Sequence, residues 1–182
     1  MLFAHDTEAA LTAAAELVNT AHENPDALST PADVVAYTNR WSYTGHVAGD
    51  QHELAAVRAL RPRLERLWHA GRDEIVELVN QMLRETGALP QLVRHDTWDY
   101  HLHAVPPEAD LAVRVTVETA MAMVDVIRLD ELARLRICAA DDCDDVLIDL
   151  SKNRSRRFCD GGCGNRGNAA AYRARKAGIS PR

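Results

Sequence analysis

The chain has 182 residues, 47% hydrophobic and 26% charged, and a net charge of −6. Those proportions belong to a globular protein and exclude a disordered or collagen-like chain. No run approaches 18 uninterrupted apolar residues, so the sequence offers no membrane span.

A first helix is predicted from about Thr7 to His22, capped by Asp6 or Thr7, with Leu11, Ala14, Ala15 and Val18 at helical spacing. Asn24-Pro25-Asp26 ends it. The second helix has a sharp start, with Thr30 as N-cap, Pro31 at the first helical position and Asp33 two residues further on. Asp50 opens a third, whose stripe is Leu54, Val57, Leu60, Leu64, Leu67 and Trp68; Pro62 is expected to kink or divide it. A fourth starts at Asp73 and carries Ile75, Leu78, Val79, Met82 and Leu83.

The period then changes. Leu89 to His95 and Trp98 to Val105 read as two short strands around a turn near Asp96-Thr97. After Pro106-Pro107 a long helix is predicted from about Glu108 to Leu129, with Val113, Val117, Ala120, Val124 and Ile127 inward. Leu132 and Leu135 read as a short helix, Val146 to Leu150 as a strand, and about Asn165 to Ala177 as a last helix. The fold class is therefore α+β. A mainly helical N-terminal domain with a small antiparallel sheet, residues 1–131, precedes a small cysteine-bearing domain, 132–182, that ends in a basic helix.

The net charge averages two opposite parts. Residues 1–133 hold 10 Lys+Arg against 21 Asp+Glu, whereas residues 151–182 hold 9 against 1. A basic tail on an acidic domain points to a polyanion partner. The N-terminus has no basic leader region, so a cytoplasmic, reducing compartment is expected, where cysteines serve metals more than disulfides.

All four cysteines lie in the last third: Cys138 and Cys143 spaced C-x4-C, then Cys159 and Cys163 spaced C-x3-C after fifteen intervening residues. Two close pairs joined by a mid-length spacer suit a tetrahedral metal, each pair gripping one edge. Gly161 and Gly162 let the second pair turn tightly. Four thiolates favour zinc, with iron–sulfur as the competing metal and two disulfides or plain buried thiols as the metal-free alternatives. Four cysteine ligands leave no open position, so the metal is expected to be structural, one per chain. Around it stand Lys152, Arg154, Arg156, Arg157, Asn165, Arg166, Asn168, Arg173, Arg175 and Lys176. Their basic members suit phosphate contacts, and Arg156, Arg157 and Arg166 are also placed to offset the charge of the metal site.

Cys163-Gly164-Asn165-Arg166, with the four cysteines, the Asp149/Ser151/Asn153/Arg154 stretch and the arginine-rich helix, resembles the CGNR zinc-finger family over roughly residues 132–177. The second cysteine pair is one residue shorter than is common there, and Gly167 stands where a basic residue is frequent. Leu17-Val18-Asn19-Thr20, and more loosely Thr30-Pro31-Ala32-Asp33, resemble the ABATE domain that often precedes this finger. The resemblance implies a bacterial, cytoplasmic transcription regulator, with Cys138, Cys143, Cys159 and Cys163 as zinc ligands. DNA would be its partner, and the first domain would sense a small ligand or form a homodimer. The alternative is an interaction module that docks its basic face on an acidic protein, including a second copy. No nucleophile elbow, phosphate loop or H-E-x-x-H motif supports an enzyme. His101 and His103, alternating on a strand, are a weaker candidate pair for a metal or ligand, and Trp41, Trp68 and Trp98 are candidates for core or pocket.

Overall fold

The computed structural model describes residues 2–95 and 98–176; the side chains at 95, 98, 168 and 170–175 lie outside that description, as does the turn at 96–97. Helix α1 is His5–Asn19 and α2 is Pro31–Arg40. The start of α2 is as its sequence dictates. The Thr30 side chain accepts from the Asp33 amide, and the Asp33 carboxylate accepts from the Thr30 amide at 2.7 Å. Helix α1 begins earlier than expected, at an extended Ala4 with no side-chain cap, and Asp6 lies inside its first turn. Helix α3, Gln51–His69, runs unbroken through Pro62. Pro62 lies on the exposed face, where water can take the carbonyl its missing N–H leaves free.

Helix α4 is Arg72–Glu85, and the hairpin β1 Gln91–His95 and β2 Trp98–His103 pairs Leu92 with Leu102 and Val93 with His101. Helix α5, Leu111–Arg128, packs against α1, α3 and α4 as the central element. Leu11, Leu17, Leu64, Leu67, Met82, Leu111 and Met123 are fully buried around it, each stabilising the fold by about 1.5–3 kcal/mol. Val113, Val124 and Ile127, expected inside, are only half-buried, whereas Leu111, Val115 and Val126 are buried. Among the described residues no helix is long and apolar enough to cross a membrane.

A 3-10 turn, Leu132–Arg134, leads into β3, Leu135–Ile137, so Leu135 is strand and not helix. Strand β3 pairs antiparallel with β4, Val146–Ile148, and α6 is Cys163–Lys176. Strand β4 joins the cysteine-bearing segment to the helices. All three of its residues are buried, and Val146 and Ile148 belong to the main core.

One edge of β4 is taken by β3. On its other side, Asn19 donates from Nδ2 to the Val146 carbonyl at 2.9 Å and accepts at Oδ1 from the Val146 amide at 2.8 Å. Trp68 Nε1 donates to the Leu147 carbonyl at 2.9 Å. A side-chain amide thus imitates a neighbouring strand. This explains the Leu17-Val18-Asn19-Thr20 element. Leu17 and Val18 fill the core, Asn19 grips β4, and Thr20 Oγ1 accepts from Arg61, whose guanidinium also holds the Asp26 carboxylate at 2.8 and 2.9 Å. Asn19→Ala leaves both Val146 groups without these partners. It should lower the unfolding free energy by about 2–4 kcal/mol in urea titration while bound zinc stays stoichiometric. Unchanged stability would contradict the clasp.

Candidate metal centre

The two cysteine pairs come from different local devices. Cys138 follows β3, and its amide donates to the Asp145 carbonyl at 2.8 Å, closing the first turn over Cys143. Cys159 precedes a tight turn in which Gly162 takes φ +80°, a conformation that favours glycine, and Cys163 opens α6. A Cβ at Gly161 would sit 3.4 Å from Cys159 Sγ.

The four Sγ atoms lie within 4.8 Å of one another, with Cys143 and Cys159 3.7 Å apart and Cys159 and Cys163 3.5 Å apart. A tetrahedral zinc with bonds of about 2.3 Å sets its sulfurs about 3.8 Å apart, so the residues fit the ion. The separations far exceed a disulfide bond of about 2.05 Å, and all four cysteines are free. Without a metal, burial pushes the Cys143 and Cys159 thiols up to about 12. Zinc binding therefore releases protons. A closed four-thiolate zinc supplies structure and no reactive water.

Arginines and two buried carboxylates, Asp149 and Glu131, brace the segments that carry the cysteines. Arg166, the arginine of Cys-Gly-Asn-Arg, donates from Nη2 to Cys163 Sγ at 2.8 Å and from Nη1 to the Gly161 carbonyl at 3.0 Å. Such donors offset thiolate charge and fix ligand orientation. A Cβ at Gly164 would meet the Phe158 ring at 3.4 Å, and Arg157 lies over that ring at 5.8 Å.

Asp149 is fully buried and accepts from the Ser151 amide at 3.0 Å, Ser151 Oγ at 2.5 Å and the Arg156 amide at 3.0 Å. Burial alone would raise its pKa, but the bonds from Ser151 and Arg156, with the Arg136 guanidinium nearby, bring it below the usual carboxylate value. Buried Arg134 donates to Glu131 at 2.7 Å and to the carbonyls of Asp149 and Ser151 at 2.6 and 2.9 Å.

These contacts sort the ten residues proposed for nucleic acid. Arg154 pairs with Glu131 at 2.9 Å, Arg156 with Asp160 at 2.7 Å, and Arg166 with the cluster. Lys152, Arg157, Asn165 and Lys176 are exposed. The side chains of Asn168, Arg173 and Arg175 lie outside the described residues, although their backbone belongs to α6. Glu131, Arg134 and Arg136 had drawn no functional reading. The pairing of Glu131 with Arg134, one helical turn on, was the available sign of a structural ion pair.

Among the described residues the four cysteines are the one group of three or more side chains placed to hold an ion. His101 and His103 face each other through their Nε2 atoms at 3.0 Å. Trp68 is core, Trp41 lines a cavity, and the Trp98 side chain lies outside the described residues.

A buried four-cysteine cluster that knits two short strands and the start of a helix, clasped onto a helical unit, defines a protein with a structural zinc finger. The family comparison agrees. The ABATE model, described as "Putative stress-induced transcription regulator", matches residues 11–130, and the CGNR zinc finger model matches residues 134–176. The chain belongs to the ABATE family and carries a CGNR zinc finger holding one structural zinc. No curated protein matches it.

Proposed function

We propose that this chain is a bacterial, cytoplasmic, DNA-binding transcription regulator without enzymatic activity. Its finger, residues 132–182, meets phosphates through Lys152, Arg157, Arg173, Arg175 and Lys176, and Asn165 and Asn168 are candidates for base edges. Its helical unit, residues 1–131, senses a ligand or forms a homodimer. The observation that carries this reading is the concentration of nine basic residues against one acid in residues 151–182, on a scaffold fixed by zinc. The membership in a regulator family supports it.

Phosphate contacts make binding fall steeply with salt. Four to six neutralised phosphates give a log–log slope of roughly −4 to −5. Lys152→Ala with Arg157→Ala should weaken binding of a random duplex and flatten that slope by about 2, and Arg173→Ala with Arg175→Ala should do likewise, with bound zinc unchanged in both. Wild-type affinity and slope in both double variants would overturn the reading.

A second reading is favoured by one observation, the −11 balance of residues 1–133 against the basic tail. The finger could dock on an acidic surface of a second copy. Self-association of that kind gives a larger mass in size exclusion at low salt than at high salt.

A further inference from the structure

A cavity of about 450 Å³ lies between α1, α5 and the β1–β2 hairpin. That size is typical of small-molecule sites. Much of the wall is apolar, including Ala10, Ala13, Met121 and Ala122, with the rings of Trp41 and Tyr43. Three carboxylates line it, Asp6, Glu118 and Asp125, against one guanidinium, Arg128, and the imidazoles of His101 and His103.

Two of the carboxylates have partners. Asp125 accepts from Thr7 Oγ1 at 2.7 Å, and Asp6 accepts from the Thr7 amide at 3.0 Å. Glu118 differs. Among the described residues nothing donates a hydrogen bond to it, and no cation lies within ion-pair distance. Arg114, one turn earlier on α5, turns its guanidinium to the carbonyls of Pro107, Ala109 and His46 instead. Burial pushes the Glu118 carboxyl up to about 7, Arg114 pulls it down, and Asp6 pushes it up. The Tyr43 ring, on the same wall, stacks on the Tyr37 ring at 5.8 Å between centroids.

Glu118 is half-buried, and a carboxylate turned toward an apolar cavity is costly until something pairs with it. The partner these walls admit is a cation with an apolar body. A small hydrated metal ion prefers a cage of oxygens to alanine and methionine, and an anion would meet three carboxylates. Ring faces also attract an ammonium. We propose that this cavity binds an organic monocation, an amine with an apolar or aromatic body, whose ammonium pairs with Glu118. As the signal that the helical unit responds to, the amine rests on the regulator reading above; as a bound ligand it does not.

The test uses the full, zinc-loaded chain and calorimetry with three probes that share one ring system: 1-naphthylmethylamine, 1-naphthylmethanol and 1-naphthylacetic acid. The amine is expected to bind at least tenfold more tightly than the alcohol, and the acid more weakly than either. Glu118→Gln, nearly isosteric, should remove the amine's advantage and leave the alcohol's affinity unchanged. Met121→Trp, which fills the cavity without altering a charge, should abolish binding of both. Equal affinity for amine and alcohol, no binding of any probe, or an amine advantage that survives Glu118→Gln would overturn the site. Duplex titrations with and without saturating amine then separate site from signal. A shifted affinity joins the two, whereas an unshifted one refutes the signalling role of a site that calorimetry has already established.

Discussion

Replacing Cys163 with serine is expected to cost the chain its zinc and, with it, the fold of the finger. The physical ground is how small the finger's own core is, although Asn19 and Trp68 also clasp β4 to the helices. Strands β3 and β4 are three residues each, and a two-stranded hairpin is marginal alone. The buried cluster of the finger is Cys138, Leu147, Cys159 and Cys163, with Ala140, Cys143 and Phe158 half-buried beside it. Three of those four buried side chains are metal ligands, so removing the ion removes most of the core. Structural zinc binds with an apparent free energy of about 10–16 kcal/mol, as large as the stability of a whole domain. Cys163→Ser should therefore weaken zinc binding well over a hundredfold. Amide exchange of β3, β4 and the loop to Cys163 should become unprotected, and chelation of the wild type should give the same result. The helices of residues 5–128 keep their own core but lose Val146 and Ile148, so they should melt at a lower temperature. Stoichiometric zinc in the serine variant, or a protected β3–β4 pair after chelation, would contradict this account.

Asp149→Ala is the second large effect. The buried carboxylate collects the Ser151 amide, the Ser151 hydroxyl and the Arg156 amide, and Arg136 Nε lies 3.6 Å away. Alanine leaves those donors and a nearby positive charge without their acceptor. Breaking such an arrangement from one side costs about 3–5 kcal/mol. The sign with pH follows from the lowered pKa of Asp149. Its contribution is full above the unfolded value of 3.8 and fades as pH falls through its lower folded value. The difference between wild type and variant in urea unfolding should thus be largest near neutrality and shrink in acid. A difference under about 1 kcal/mol at pH 7 would show that the loop holds itself by other means.

Both results turn on features of unequal visibility in the sequence. The four cysteines declared their site because metal geometry is local: two short loops and a spacer suffice. The start of α2 was legible for the same reason, since Thr30, Pro31 and Asp33 satisfy one another within four residues. Long-range pairing was not legible. Arg154 counted as free positive charge until the fold placed Glu131, 23 residues earlier in the chain, beside it. Nothing around Asn19 in sequence announces that its amide will meet Val146, 127 residues away. Pro62 does not divide α3, because the cost of its orphaned carbonyl depends on whether that carbonyl faces water, and here the proline lies on the exposed face. Glu118 looked like any helix carboxylate, and only the packing of α1 and the hairpin against α5 makes it a cavity group.

The metal-built scaffold and the basic surface on it meet in one measurement: anisotropy of a labelled random duplex titrated with zinc-loaded and with chelated protein, at low and moderate salt. The expected result is micromolar binding by the zinc-loaded chain at low salt, weaker binding as salt rises, and none after chelation. No binding at low salt with zinc in place, or equal binding with zinc removed, would contradict the account.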